Sequence, residues 1–321
     1  METHIGTDLG EAARLLRDGG MVAMPTETVY GLAANAFDVD AVLQIFEVKD
    51  RPRFDPLIVH IGHQDQLHDV VREIPAEAQR LIAELWPGPL TLVLPKAGKI
   101  PELVTSGLDT VAVRMPAHSM ALELLRKLAF PLAAPSANPF GYVSPTTAQH
   151  VWDQLNGRIP YILDGGACSV GVESTIIGWE GGEMVIYRPG GVSIEKIQNV
   201  TGIIPERSRL ERPVAPGMHA FHYAPRKPLL VGSVPSLLQE HTGRRIGVIS
   251  FSTRHPAAIS EVLSPEADLH ESARELFAAI RRLDASDVDL IIAEIFPEEG
   301  LGRAINDRLQ RAAYAASRYP A

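Results

Sequence analysis

Residues 21–50 read MVAMPTETVYGLAANAFDVDAVLQIFEVKD, and the order of their textures decides the fold class. The apolar run 21–24 has the length of a short buried strand. A polar loop, PTETVYGL (25–32), follows it. Asp38 then opens a helix expected over 38–48, with Val39, Val42, Leu43 and Phe46 recurring at helical spacing. Strand, loop and helix in that order form the building unit of an α/β protein. Upstream, Thr7-Asp8 opens another helix, its apolar face being Ala12, Leu15 and Leu16, and Gly19-Gly20 closes it. Downstream, short apolar runs at 57–61, 90–94, 111–115, 132–134, 161–163, 175–178 and 184–187 are further strands. Together they predict a twisted, partly parallel sheet with flanking helices.

The texture changes at 206–228. ERSRLERPVAPGMHAFHYAPRKP has four prolines, no usable periodicity, and five basic residues against two acidic ones. It reads as a linker. Beyond it a second alternating unit offers strands at 229–231, 246–250 and 290–293 and helices at 267–282 and 301–316, a small Rossmann-like α/β domain. The expected division is therefore 1–205, the linker 206–228, and 229–321. Over the whole chain 39 acidic residues face 30 basic ones, a net charge of −9. That balance excludes a general nucleic-acid coat, so any RNA contact must be local. The single cysteine, Cys168, excludes a disulfide framework and any cysteine-based zinc site. No apolar run reaches the length of a membrane span, and METHIGTDLGE does not read as a signal peptide, so a cytoplasmic location is expected.

No phosphate-binding G-x-x-x-x-G-K-[ST] loop, dinucleotide G-x-G-x-x-G turn, H-E-x-x-H pair or G-x-S-x-G elbow occurs. The chemistry must lie in polar loops at strand ends. PTETVYGL can be a small-molecule cradle, or a capped turn into a helix. Lys49, Arg51 and Arg53 place three cations in five residues, an anion site or simply a solvated helix end. Both readings expect these side chains to be exposed, so replacing Lys49 or Arg51 should leave the fold intact. Ser136 and Asn138, two apart after an apolar strand, can face one ligand. Ser144-Pro145-Thr146 reads as a helix start with Ser144 as its cap. Arg114 and Arg188 end strands beside these loops.

Nine motifs occur in order: PTETVYGL, K-x-R-P before PLIVHI, WPGPLTLVL, VAVRMP, APSAN, SPT, GVESTII, YRPG and HYAP. Together they resemble the threonylcarbamoyl-AMP synthase family in its long form, a YrdC-like domain joined to a small C-terminal α/β domain. The resemblance is strong to about residue 225 and weaker beyond. Two departures occur: Ala33 stands where the family commonly has glycine, and Pro139-Phe140 replaces a small polar pair.

The resemblance implies formation of threonylcarbamoyl-adenylate and pyrophosphate from L-threonine, bicarbonate or CO₂, and ATP, with Mg²⁺ accompanying the ATP. The product would pass to a tRNA threonylcarbamoyl transferase. Carried residue by residue, it gives Lys49 and Arg51 the catalytic role. Lys49, Arg53, Thr110, Ser136, Asn138, Ser144, Arg188 and Tyr223 would bind ATP. Thr26, Thr28, His60, Arg114, Ala134 and Ser174 would bind threonine. The linker, basic and carrying Tyr223, would close over the site as a lid. Three other readings compete with it. One is an RNA-binding module of the same fold. Another is a carbamoyl-transfer accessory domain like that of hydrogenase-maturation proteins, whose zinc-finger and acylphosphatase-like segments are not found in this sequence. The third is a catalytically silent scaffold, against which the cation and Ser/Asn loops argue.

Overall fold

The computed structural model describes residues 2–210, 214–216, 218 and 222–318. Eleven strands build the first sheet: β1 (His4–Gly6), β2 (Val22–Met24), β3 (Gly31–Asn35), β4 (Ile58–His60), β5 (Leu90–Pro95), β6 (Thr110–Arg114), β7 (Leu132–Ala133), β8 (Tyr161–Leu163), β9 (Thr175–Glu180), β10 (Glu183–Arg188) and β11 (Glu206–Arg207). Their order is β1-β8-β2-β3-β7-β4-β6-β5-β9-β10-β11, mixing parallel and antiparallel neighbours. The expected partly parallel sheet is present. PTETVYGL does not lead into a helix: β2 and β3 pair antiparallel, and the loop turns back between them. Residues 31–35 (GLAAN) are almost wholly buried on both faces, so no period-2 alternation marks them as a strand.

Asp8 caps the helix Leu9–Arg17, its side chain accepting from the amides of Gly10 and Glu11. Asp38 caps Val39–Lys49 in the same way. That second helix ends at Asp50, whose left-handed backbone (φ 54°) turns the chain so that Lys49 and Arg51 both face inward. Ser144 caps nothing. Thr147 is the cap of the helix Ala148–Leu155, and the Ser144 side chain is buried elsewhere. Trp86 sits in a packed turn, its indole N–H donating to the Leu90 carbonyl at 2.8 Å.

The second unit is a parallel four-stranded sheet, β12 (Leu229–Val231), β13 (Ile246–Ser250), β14 (Ile259–Val262) and β15 (Leu290–Ala293), ordered β12-β15-β13-β14. The helices Leu269–Ala285 and Gly302–Arg318 accompany it. The linker is more than a tether. Glu206 and Arg207 add a strand to β10, and Ala224 forms a bridge with Tyr142. Tyr223 joins the apolar core of the second unit.

Candidate active site

Four strand ends converge on one basin. It is lined by Thr26, Thr28, Val29 and Gly31 from the β2–β3 turn, Ile58 and His60 from β4, Arg114 from β6, and 134–136 after β7. Arg51, Glu173, Ser174, Arg188, Pro216, His222 and Tyr223 complete its wall. Register explains the meeting of His60 and Arg114, which are direct partners in the parallel pair β4–β6. Three arginines against one glutamate give the lining an excess of positive charge.

The threonine-side residues form one network. Thr26 Oγ1 lies 2.9 Å from Thr28 Oγ1 and accepts from the amides of Thr28 and Val29. Arg114 Nη1 donates to Thr28 Oγ1 at 2.8 Å, Nε donates to the Gly88 carbonyl, and Nη2 lies 2.6 Å from Glu27 Oε1. The Arg114 guanidinium is therefore already paired with a buried carboxylate. His60 is buried beside it. Burial, reinforced by Arg114, pushes the imidazole from 6.5 down to about 3, so the ring is neutral at physiological pH. Ser174 Oγ shares a 2.7 Å hydrogen bond with Thr91 and accepts from Arg188 Nη2 at 3.2 Å.

The cation loop differs from its sequence expectation. Lys49 is 1% exposed, and its ammonium donates to the carbonyls of Ser136 (2.5 Å) and Asn138. Burial, with Arg51 nearby, holds it well below the usual lysine range. Arg51 pairs with the buried Asp55 at 2.8 Å and donates to the Asp55 and Pro56 carbonyls. Both are buried rather than solvated, Lys49 wholly internal and Arg51 at the basin wall, where the left-handed turn at Asp50 folds them in. Their burial and pairing predict that replacing them costs stability, contrary to the exposed-loop expectation. Arg53 alone of the three is exposed, outside the basin lining. Thr110 begins β6, at the opposite end from Arg114, about 13 Å away by the rise of a strand. Asn138 and Ser144 stand behind the lining: Asn138 donates to the carbonyls of Pro139 and Tyr142, and Ser144 donates to Glu173 at 2.6 Å.

The linker closes the basin. Arg188 Nη1 donates to the Pro216 carbonyl at 3.0 Å, while its Nε and Nη2 hold the Ser174 carbonyl. His222 is buried against Phe140 and Tyr223. Burial, then Arg51 and Lys49, hold its imidazole well below the usual range. The free space left at the centre is about 40 Å³, far below the roughly 300–1,000 Å³ of small-molecule sites. Pro216, His222 and Tyr223 of the linker take up part of the basin's wall. The sequence reading gives Glu173 and Pro216 no place in the site, and Glu27 and His222 enter it only as members of the PTETVYGL cradle and the HYAP segment of the linker. GVESTII contains Glu173, but a glutamate in a loop gives no sign of its burial.

Residues 14–190 match the family model described as telomere recombination (Sua5, YciO, YrdC). Residues 192–314 match that of the threonylcarbamoyl-AMP synthase C-terminal domain. The chain belongs to the threonylcarbamoyl-AMP synthase family. Threonylcarbamoyl-AMP synthase of Bacillus subtilis is 45% identical over 320 residues, covering 95% of this chain and 92% of that protein. The crystal structure of Pyrococcus abyssi Sua5 complexed with L-threonine superposes with a TM-score of 0.91 at 42% identity, covering 98% and 97% of the two chains. Full-length HypF in its phosphate- and nucleotide-bound form, at 22% identity and TM-score 0.51, shares the fold of 58% of this chain. As a member of this family of synthases the protein is an enzyme, and no helix among its described residues is long and apolar enough to cross a membrane.

Proposed function

We infer that this enzyme joins L-threonine, bicarbonate-derived CO₂ and ATP into L-threonylcarbamoyl-adenylate with release of pyrophosphate, for N6-threonylcarbamoyladenosine in tRNA. The observation that carries the reading is the basin itself. Arg51, Arg114 and Arg188 meet the hydroxyls of Thr26, Thr28 and Ser174 there, in a chain 42% identical to a Sua5 that binds L-threonine.

The chemistry asks for no protein nucleophile. The threonine amine adds to CO₂ and loses a proton, giving a carbamate. A carbamate oxygen attacks the α-phosphorus, and the bond to the β-phosphate oxygen breaks as pyrophosphate leaves. Such a reaction needs two anions held together and charge stabilised at phosphorus. Arg114 would take the threonine carboxylate beside Glu27, which already neutralises part of that guanidinium. The hydroxyls of Thr26, Thr28 and Ser174 would read the threonine side chain, a contact that rejects analogues lacking the hydroxyl. With the linker raised, Arg188 loses its Pro216 acceptor and becomes available to phosphate. Lys49 would act indirectly, fixing the Ser136–Asn138 backbone. Mg²⁺ would travel on the nucleotide phosphates and offset their charge. Among the described residues no cluster of three metal-ligating side chains occurs, and Glu27 and Glu173 are each held by an arginine. Residues 206–228 would open for the nucleotide and close over the labile adenylate.

The test is pyrophosphate release measured with each substrate omitted in turn. Release should require threonine, bicarbonate and ATP together. Release from ATP alone, or none with all three, would reject the reading.

A further inference from the structure

One charge in the second unit stands where the sequence pattern asks for an apolar residue. In the helix Gly302–Arg318, Ala304, Ile305, Leu309 and Ala312 form the buried face, and Arg308 lies among them at 0% exposure. A fully buried guanidinium persists only where it is paired. Its Nε donates to Glu173 Oε2 at 2.7 Å, and its Nη1 to Asp307 Oδ2 at 2.7 Å. Its other face covers the Tyr223 ring, with Cζ 4.9 Å from the centroid. Tyr223 holds a left-handed backbone (φ 66°), unusual for an aromatic residue, and stacks on Phe277 of the second unit at 5.6 Å.

Two partners of Arg308, Glu173 and Tyr223, belong to the basin wall, while Asp307 lies on its own helix. Glu173 lines the basin and accepts from Ser144. Arg281, from the neighbouring helix Leu269–Ala285, donates to the carbonyls of Val143 and Ser144. Two arginines of the second unit thus fix the 143–144 backbone, the Ser144 hydroxyl and the Glu173 carboxylate. The same Arg308 also clamps the linker residue that roofs the basin.

We propose that Arg308 is a positioning residue through which the second unit completes the nucleotide half of the site, holding Glu173 and Ser144 on one side and Tyr223 on the other. The claim rests on the adenylate-forming reading above for which substrate it affects. Without Arg308, Glu173 stays buried without its cation, the Ser144 hydroxyl loses a fixed acceptor, and Tyr223 loses the cover that holds its strained backbone. Among the described residues, those of the threonine half, Arg114, Thr28 and Ser174, share no hydrogen bond or ion pair with Arg308. They are held by Glu27, Gly88, Thr91 and Arg188 instead, so that half should be affected far less.

The experiment uses the full-length chain carrying Arg308→Met or Arg308→Lys. Pyrophosphate release is measured with ATP and threonine varied separately, and binding of a non-hydrolysable ATP analogue is followed by calorimetry. Arg308→Met should raise the KM for ATP and the analogue Kd at least tenfold, with the KM for threonine changed less than twofold. Arg308→Lys, which keeps the charge on Glu173 but loses the fork and the ring cover, should fall between wild type and Arg308→Met. If Arg308→Met fails to fold, the lysine variant alone decides. A merely structural role would lower the active fraction, and so kcat, and leave both KM values alone. That result, or equal loss for both substrates, overturns the proposal. Wild-type protein that binds the analogue but releases no pyrophosphate would sink the functional reading, and the analogue Kd of the variants would still judge Arg308.

Discussion

Arg51→Ala separates the buried, paired guanidinium from the exposed loop charge expected of the sequence. The side chains of Arg51 and Asp55 are 2% and 0% exposed, and their ion pair measures 2.8 Å. Two backbone carbonyls also accept from the same guanidinium. Removing Arg51 takes the ion pair from the buried Asp55 carboxylate in a poorly solvated place, and breaking a buried pair costs roughly 3–5 kcal/mol. That is a large share of the roughly 5–15 kcal/mol by which domains are stable. All three tryptophans, Trp86, Trp152 and Trp179, lie in the first unit, so urea denaturation followed by their fluorescence isolates it. Arg51→Ala should shift that transition by roughly 3–5 kcal/mol at neutral pH. The double variant Arg51→Met with Asp55→Leu removes both charges and should recover most of the loss, since an apolar replacement for a buried pair is often neutral. Neither variant should release pyrophosphate at the wild-type rate. A shift below about 1 kcal/mol for Arg51→Ala, the range of an exposed pair, would refute the buried pair.

Arg114→Ala should weaken threonine binding roughly tenfold or more, since a charged hydrogen-bond partner contributes ~1.5–3 kcal/mol, while ATP-analogue affinity stays near wild type; unchanged threonine affinity in calorimetry removes Arg114 from the site. His60 contributes stability that is complete above its unfolded value of 6.5 and is lost as pH falls toward its folded value of about 3. Over that window His60→Gln should lessen the loss of stability with acid by about 1.4 kcal/mol per pH unit, and an unaltered slope contradicts the neutral buried ring. Cys168 is buried and its thiol is pushed from 9 up to about 12 by burial, then by Glu27, so thiol reagents should label it only after denaturation; rapid labelling of the native protein would show the thiol to be accessible. Arg207 and Arg209 are 78% and 89% exposed, and ATP with threonine should slow tryptic cleavage there if the linker closes over the substrates, whereas equal cleavage with and without ligands would make it a passive spacer; Arg212, a third cleavage point in the linker, lies outside the described residues.

What could be read in the sequence was what local pattern encodes. Strands such as 161–163 and 246–250 appear at their expected places because an apolar run bounded by turn residues has few other uses. Gly31–Asn35 escaped because residues buried on both faces carry no alternation, and Ile259–Val262 because its edge position leaves every residue half-buried. For the site, motif resemblance gathered residues far apart in the chain, and His60, Arg114, Ser174 and Arg188 do line one basin. Burial was the illegible part. Nothing local says that Asp50 turns left-handed and brings Lys49 and Arg51 inward, or that Thr110 lies at the opposite end of its strand from Arg114. Arg308 lies 135 positions from Glu173, a pairing that only the docking of the two units creates.

The most direct measurement follows one labelled carbon. With ¹³C-bicarbonate, L-threonine and ATP, mass spectrometry should find threonylcarbamoyl-adenylate one mass unit heavier than with ordinary bicarbonate, formed in step with pyrophosphate. Pyrophosphate without a labelled adenylate, or an adenylate that carries no label, would contradict the account.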